Sequence, residues 1–245
     1  MSRDPEIIQA APGDQAQGPG IEPARIDHTC LRPDATPHDI ARLCAEARTF
    51  GFKTVCVQPT FVAFAARALA GSGVGVSAVV AFPHGASTTA TKTFEGRAAV
   101  ADGATELDVV ANLGWIRGGD AAAIEAETRA LVDGVGLGVP IKLILESTLF
   151  SADELARAAR AGLAGGAAFL KTSTGFAASE GGGGPAAHAA LLAQVALLRA
   201  MAGTRAGVKA SGGIRTRAQA RALLAAGADR LGCSASVELV AATGP

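Results

Sequence analysis

The chain has 245 residues, a formal net charge of zero at pH 7, and a composition that is 49% hydrophobic and 18% charged. This balance is typical of a soluble globular protein, and a single domain of this length can bury a large core. Acidic and basic residues are interspersed, without a basic stripe for nucleic-acid phosphates or a cationic helix for membranes, which argues against both as partners.

The N-terminal residues 1–20 are predicted to form a flexible tail, because they are rich in glycine, proline and polar residues and lack apolar periodicity. They contain no apolar stretch of the kind found in signal peptides, and no apolar run in the chain approaches the roughly 20 residues that span a bilayer. We therefore expect a cytoplasmic protein with one domain, residues 21–245. Reduced thiols are predicted at four widely spaced cysteines, Cys30, Cys44, Cys56 and Cys233.

Beyond the tail, β-rich segments alternate with amphipathic helical segments up to the end of the chain. Strands are predicted at 25–29, 54–57, 75–81, 105–110, 140–146, 167–171, 206–210 and 229–232. Helices are predicted at 39–47, 61–71, 90–102, 120–134, 152–163, 186–202, 216–226 and 235–242. Gly103, Gly166 and Gly227 each stand just past a helix, where glycine turns the chain towards the next strand. Eight such units predict a (β/α)8 TIM barrel; an open doubly wound sheet is the alternative, without support from a GxGxxG turn.

A glycine-rich loop, residues 179–185, follows the sixth predicted strand. It includes Gly181–Gly184 and is expected to be mobile. A surface insertion is favoured over a lid.

Lysine is scarce, and its positions are informative. Arginine is the common cation, whereas three of the five lysines, Lys142, Lys171 and Lys209, fall inside predicted strands. Arginine suits a fixed buried ion pair, but only lysine can lose its proton and attack a carbonyl. The pattern favours an amine nucleophile over the alternative, three structural salt bridges inside the barrel.

Carboxylates occupy matching positions. Asp27 closes the first strand, Asp108 lies in the fourth, and Glu146 is predicted to end the strand that holds Lys142. By the two-residue period, Lys142 and Glu146 share a face, and so do Glu106 and Asp108. A lysine among other ammonium groups and partly desolvated can have its pKa lowered towards neutrality, which imine formation requires.

Two glycine-containing segments predict a phosphate site. Residues 211–216 (SGGIRT) follow the seventh strand and residues 232–236 (GCSAS) follow the eighth. Backbone N–H groups in such turns bind phosphate, and TIM barrels often place this site after strands 7 and 8.

Other chemistry has less support. The four histidines show no HxH or HExxH spacing, so no metal and no cofactor is expected. Cys56 is interpreted as a small core residue lining the pocket, and Phe82, at a strand end, as a second lining residue.

At these positions the sequence resembles the deoxyribose-phosphate aldolase family. The resemblance spans about residues 21–240, and two segments carry most of its specificity, 171–176 (KTSTGF) and 209–216 (KASGGIRT). Supporting matches are at 26–29, 55–57, 79–85, 106–110 and 143–146.

The resemblance implies a TIM barrel that cleaves 2-deoxy-D-ribose 5-phosphate reversibly to D-glyceraldehyde 3-phosphate and acetaldehyde through a Schiff base. It implies that Lys171 is the nucleophile, that Lys209 depresses its pKa, and that Asp108 works with water as acid and base. The implied substrate-binding residues are Asp27, Thr29, Cys56, Phe82, Lys142, Thr174, Gly175, Gly212, Gly213, Ser234 and Ser236. The implied partners are a small phosphosugar and further copies of the chain, as a dimer or tetramer.

The sequence departs from the family pattern at two points. Ser236 replaces a usual glycine, and the chain has no tyrosine, whereas some members use a C-terminal tyrosine in proton transfer. Two other functions remain open: a class I aldolase for another phosphosugar, and a phosphosugar-binding barrel without catalysis.

Overall fold

The computed structural model describes residues 21–136, 138–177 and 184–240, and its eight parallel strands form a closed barrel. Strand β1 pairs with both β2 and β8: His28 lies opposite Val55 on one side and Cys233 on the other. This closure confirms the predicted (β/α)8 barrel, and the open-sheet alternative is wrong. The predicted tail, most of the glycine-rich loop and residues 241–245 lie outside the described residues.

The strands agree with the predicted ones to within two residues at each end. They are β1 Ile26–Cys30, β2 Thr54–Val57, β3 Gly75–Val80, β4 Glu106–Val110, β5 Ile141–Ile144, β6 Phe169–Lys171, β7 Gly207–Ser211 and β8 Arg230–Cys233. Strands β3 and β5 end earlier than predicted. Ala81 and Glu146, just beyond them, have φ angles of 52° and 45°, which are incompatible with an extended strand.

The helices surround the barrel. They are α1 Pro37–Phe50, α2 Val62–Leu69, α3 Thr89–Ala101, α4 Leu113–Gly118, α5 Ala121–Val135, α6 Ala152–Ala164, α7 Pro185–Ala202, α8 Arg217–Ala225 and α9 Ser236–Val240. Helix α4 is absent from the sequence prediction. It begins where the Asn112 side chain accepts hydrogen bonds from the N–H groups of Gly114 (3.0 Å) and Trp115 (3.3 Å).

Local sequence explains where several helices begin and end. Capping boxes start α1, α6 and α8, with side chains of Thr36, Ser151 and Thr216 at the N-cap. The predicted glycine junctions are confirmed: Gly103, Gly166 and Gly227 all have positive φ, between 96° and 108°. Because all eight strands run parallel, their C-terminal ends lie on one face of the barrel.

The two faces of the strands differ in polarity, and this places the site. Outward-facing residues such as Leu107 and Leu143 belong to the hydrophobic core between barrel and helices. Inward-facing residues such as Asp108 and Lys142 are polar and fully buried. Helix α7 is the one described helix long and apolar enough to cross a membrane; its buried residues (Leu191, Val195, Leu198, Ala202) lie in the same core.

Candidate active site

Asp108 is the centre of a hydrogen-bonded cluster on the barrel axis. Its Oδ2 lies 2.7 Å from the Nζ atoms of both Lys171 and Lys209. Its Oδ1 accepts from Lys142 Nζ at 2.7 Å and from the Ser77 hydroxyl at 2.9 Å. One carboxylate thus meets the three lysines that the sequence pattern singled out.

Strand register brings Lys171 and Lys209 together. They are directly paired neighbours on β6 and β7, and both side chains point inward. Gly232 on β8 makes room for the second of them, because a Cβ there would lie only 2.8 Å from Lys209 Cε. Glycine at this position therefore leaves room for the lysine side chain in the position that it takes here.

Two further carboxylates and one arginine extend the cluster. Asp27 Oδ2 lies 2.6 Å from Lys209 Nζ, and Glu106 Oε2 lies 2.7 Å from Lys142 Nζ. The Arg230 guanidinium donates to both carboxylates. We call Asp27, Glu106, Asp108, Lys142, Lys171, Lys209 and Arg230 the lysine cluster.

The net charge of the lysine cluster depends on whether one of its lysines keeps its proton. With every group ionised, its three carboxylates face four cations, which leaves one excess positive charge in the barrel interior. Burying an unbalanced charge is costly, and a buried amine responds by releasing its proton. The cluster is balanced when one lysine is neutral.

Of the three lysines in the cluster, Lys171 is the one whose pKa is lowered, so it releases its proton most readily. Burial lowers the pKa of Lys171 and the Lys209 ammonium lowers it further, outweighing the attraction of Asp108. Burial also disfavours charge on Lys209, but there the carboxylates of Asp108 and Asp27 prevail and raise the pKa. The pKa of Lys142 is raised as well, by Asp108 against burial.

Asp108 remains ionised in this setting. Burial by itself would raise its pKa, yet the ammonium groups of Lys142, Lys171 and Lys209 hold it well below its usual range. Asp27 behaves in the same way: burial opposes its charge, and Lys209, Lys142 and Arg230 lower its pKa.

A cavity of about 740 Å³ opens at the C-terminal ends of the strands above this cluster. Lys171 reaches its wall, whereas Lys142 and Lys209 are fully buried. The other predicted site residues on the wall are Thr29, Thr174, Gly175, Gly212, Gly213 and Ser234. The Lys171 amine and the two glycine turns therefore line the same cavity.

The two glycine turns lie next to each other on the cavity wall. Gly175, Gly212 and Gly213 have φ angles of 86°, 99° and 69°, and a Cβ on Gly175 would lie 3.9 Å from Gly212 Cα. The turns are tied together: the Ser211 hydroxyl donates to the Ser173 carbonyl at 2.6 Å. Paired backbone turns of this kind form concave sites for anions.

Three predicted substrate-binding residues lie elsewhere. Cys56 is fully buried, with its Sγ 3.9 Å from Asp108 Oδ2, and burial raises the pKa of its thiol. Phe82 packs with Leu31, Cys56 and Val79 and meets the Phe176 ring edge to face, with centroids 5.2 Å apart. The Ser236 hydroxyl is buried and donates to the Cys233 carbonyl at 2.9 Å.

Sequence reasoning missed two members of the site. Arg230 and Ser77 lie on inward-facing positions of predicted strands, so the two-residue period that places Glu106 on the face of Asp108 could have identified them as well. Glu146 does not face the lysine cluster through an extended β5, as the period suggested. Its carboxylate instead accepts hydrogen bonds from Thr174.

The described residues contain no group of three or more His, Cys, Asp or Glu side chains arranged to hold a metal ion. What the site does offer is a buried amine with a lowered pKa beside ammonium groups that keep their protons. Such an amine can add to a carbonyl, and its neighbours can stabilise the developing charge.

Comparison with known proteins agrees with this chemistry. Residues 24–235 match the model of the DeoC/LacD family of aldolases. A deoxyribose-phosphate aldolase of Desulfitobacterium hafniense (strain DSM 10664 / DCB-2) is 46% identical over 216 residues, which cover 88% of this chain and 95% of that protein. One of Bacillus cereus (strain AH187) is 44% identical over 215 residues, with coverage of 88% and 92%. The solved tetrameric deoxyribose phosphate aldolase of Aeropyrum pernix superposes with a TM-score of 0.79 at 32% identity, covering 89% of this chain and 88% of that one.

Proposed function

Because the chain belongs to the DeoC/LacD family of aldolases, we propose that it catalyses the reversible cleavage of 2-deoxy-D-ribose 5-phosphate to D-glyceraldehyde 3-phosphate and acetaldehyde. The observation that carries the mechanism is the shared Asp108 carboxylate, which meets Lys171 and Lys209 at 2.7 Å each. It joins one lysine with a lowered pKa to one that keeps its proton.

The reaction begins at the Lys171 amine. The neutral amine adds to the C1 aldehyde of the open-chain sugar, and the carbinolamine loses water to give a protonated imine. Asp108, acting with a water molecule, takes and returns the protons of these steps, since its carboxylate already lies at hydrogen-bond distance from the amine.

Carbon–carbon cleavage follows from the imine. The 3-hydroxyl loses its proton, the C2–C3 bond breaks, and its electrons move to the iminium to form an enamine on Lys171. D-glyceraldehyde 3-phosphate leaves. Protonation of the enamine at C2 and hydrolysis release acetaldehyde and regenerate the amine. The iminium is the electron sink, so this chemistry requires no added cofactor.

The neighbouring residues take supporting roles. Lys209 lowers the pKa of Lys171. Lys142, Asp27 and Thr29 orient the substrate hydroxyl groups, and Cys56 and Phe82 shape the apolar side of the pocket. These roles rest on the family resemblance and on the proximity of the residues to the lysine cluster.

The phosphate of the substrate is assigned to these two neighbouring glycine turns. Gly175, Gly212, Gly213 and Ser234 share the cavity wall with Lys171, which supports one ligand bridging the amine and the turns. The Ser236 hydroxyl is engaged with Cys233, so the assignment relies on the other four residues.

The same proposal covers assembly and location. A homo-oligomer, dimer or tetramer, is supported by the tetramer of the Aeropyrum pernix relative. A cytoplasmic enzyme without nucleic-acid or membrane partners is supported by the neutral, interspersed charges of the chain.

The test traps the imine on the protein. The chain is incubated with acetaldehyde and sodium borohydride, digested, and examined by peptide mass spectrometry. We expect a reduced two-carbon adduct on Lys171. An adduct on another lysine, or none, contradicts the proposal, and a catalytically silent binding barrel predicts none.

Substrate identity needs a second assay. Cleavage of 2-deoxy-D-ribose 5-phosphate is compared with that of other phosphorylated aldoses and ketoses. A higher kcat/KM for another phosphosugar, together with the Lys171 adduct, would keep the mechanism and replace the substrate.

A further inference from the structure

Glu146 is a buried carboxyl group that the mechanism above does not use. It is 1% exposed and stands beyond the end of β5 in a left-handed conformation, with φ 45° and ψ 54°. A residue other than glycine holds this conformation only when the surrounding structure enforces it. The conformation turns the side chain towards the loop that follows β6.

The carboxylate of Glu146 holds that loop through Thr174. The Thr174 N–H donates to both of its oxygens, at 3.3 and 3.2 Å, and the Thr174 hydroxyl also donates to it. The same hydroxyl oxygen accepts from the Phe176 N–H at 3.0 Å. These hydrogen bonds connect Glu146 to Thr174 and Thr174 to Phe176, and we call this chain of bonds the relay. Gly175 lies between Thr174 and Phe176 and is held by the relay on both sides.

Glu146 acts from behind the cavity wall. Thr174, Gly175 and Phe176 line the cavity, whereas Glu146 is buried on the other side of the turn. Burial raises the pKa of this carboxyl, and the hydrogen bonds from Thr174 and the charge of Lys171 oppose the rise. Its hydrogen bonds go to the turn, and it is not part of the cavity wall.

We propose that Glu146 is a positioning residue that fixes the Gly175 turn in its phosphate-binding shape and so determines the preference for phosphorylated over unphosphorylated sugars. The proposal rests on the proposed aldolase function and adds to it a residue that sets substrate class. Without the relay, Gly175 can rotate freely, and the turn must be ordered by the phosphate each time the substrate binds.

The experiment compares two substrates that differ only in the phosphate, 2-deoxy-D-ribose 5-phosphate and 2-deoxy-D-ribose. For Glu146→Ala we expect KM for the phosphorylated sugar to rise by about 10- to 100-fold, with kcat/KM for the unphosphorylated sugar within about threefold of the unmodified chain. The inhibition constant of inorganic phosphate should rise in parallel. Glu146→Gln keeps one acceptor oxygen and should give a smaller change in the same direction, and it serves if the alanine variant does not fold.

A double-mutant cycle tests whether Glu146 acts through Thr174. Thr174→Val removes the hydroxyl but keeps the N–H bond to Glu146, so adding Glu146→Ala should change the ratio of the two kcat/KM values less in Thr174→Val than in the unmodified chain. Independent, multiplying effects would contradict the relay through the hydroxyl. An equal loss for both substrates in Glu146→Ala would also overturn the proposal, since it indicates general disruption.

Two controls separate the possible failures. Glu127→Gln alters another buried carboxylate, which accepts from Lys92 and Thr89 away from the cavity, and should leave the substrate preference unchanged. Borohydride trapping of acetaldehyde on Lys171 requires no phosphate and should still label Lys171 in Glu146→Ala. If the unmodified chain neither forms this adduct nor prefers the phosphorylated sugar, the proposed function fails; if it does both and Glu146→Ala changes neither phosphate readout, only the role of Glu146 fails.

Discussion

Lys92 on α3, outside the barrel, and Lys171 on β6, inside it, are both buried amines whose pKa burial lowers. Lys92 donates to Glu127 Oε1 at 2.6 Å and to the Val110 carbonyl at 2.8 Å. Lys171 shares its carboxylate, Asp108, with two other ammonium groups. Burial alone therefore does not distinguish a nucleophile from a structural cation.

The distinction lies in how many cations each carboxylate serves and in access to the cavity. In the outer pair, one ammonium and one carboxylate balance each other, and both are closed to solvent. In the lysine cluster, the cations outnumber the carboxylates by one. The lysine whose pKa is lowered, Lys171, is also the one that reaches the cavity. Five substitutions at four positions test this comparison.

The largest effect is expected for Lys171. Lys171→Arg keeps the charge but cannot form an imine, so activity should fall by about 10⁴-fold or more. Lys171→Met should be equally inactive and yet more stable. The lowered pKa of Lys171 means that the folded state binds fewer protons than the unfolded state, at a cost that grows as pH falls below the ordinary lysine pKa.

Thermal unfolding at neutral pH should therefore give a Tm for Lys171→Met that is a few °C higher, on the order expected for a change of about 1 kcal/mol. Asp108 keeps Lys142 and Lys209 as partners in this variant. A lower Tm would mean that Lys171 is a stabilising cation like Lys92.

Lys92→Met should show the opposite behaviour. It leaves the buried Glu127 carboxylate without its cation, and losing one partner of a buried pair costs about 3–5 kcal/mol. We expect a clear loss of stability in urea unfolding, with the pH profile of kcat/KM unchanged in the remaining folded enzyme. A displaced pH profile would show that the outer pair influences the nucleophile.

Lys209→Met should change the pH dependence. Removing this ammonium takes away a charge that lowers the pKa of Lys171, so that pKa rises. Because the neutral amine is the reactive form, the acidic limb of kcat/KM should move to higher pH. An activity loss without any movement of that limb would contradict the pKa-lowering role.

Arg230→Met should give the smallest effect. Arg230 contacts Asp27 and Glu106, which in turn pair with Lys209 and Lys142. Its removal takes one positive charge from the cluster at a distance from Lys171, so the acidic limb should move in the same direction by less than in Lys209→Met. A larger displacement than that of Lys209→Met would contradict the ranking.

The sequence predicted the barrel and the lysines for a physical reason. Polar residues such as Asp108 and Lys142 interrupt apolar strands at a two-residue period, and that period determines which side chains enter the barrel. The sequence could also have predicted the start of helix α4, since Asn112 is a typical N-cap residue.

Two other features had no local signal. Lys92 lies in a threonine-rich helix of weak amphipathicity, and its partner Glu127 is 35 residues away, so only the packing of α3 against α5 shows that it is buried. The left-handed backbone of Glu146 is enforced by the Thr174 loop, again a contact between distant segments. Pairings of this kind depend on the tertiary structure.

The missing side chain at Gly232 has a consequence for how such chains can diverge. A β-carbon there would lie 2.8 Å from Lys209 Cε, so a larger residue on β8 requires the lysine side chain on β7 to shift, whereas the lysine can be replaced while the glycine stays. In alignments, a larger residue at the position of Gly232 therefore marks a barrel in which the amine on β7 has shifted or has been replaced.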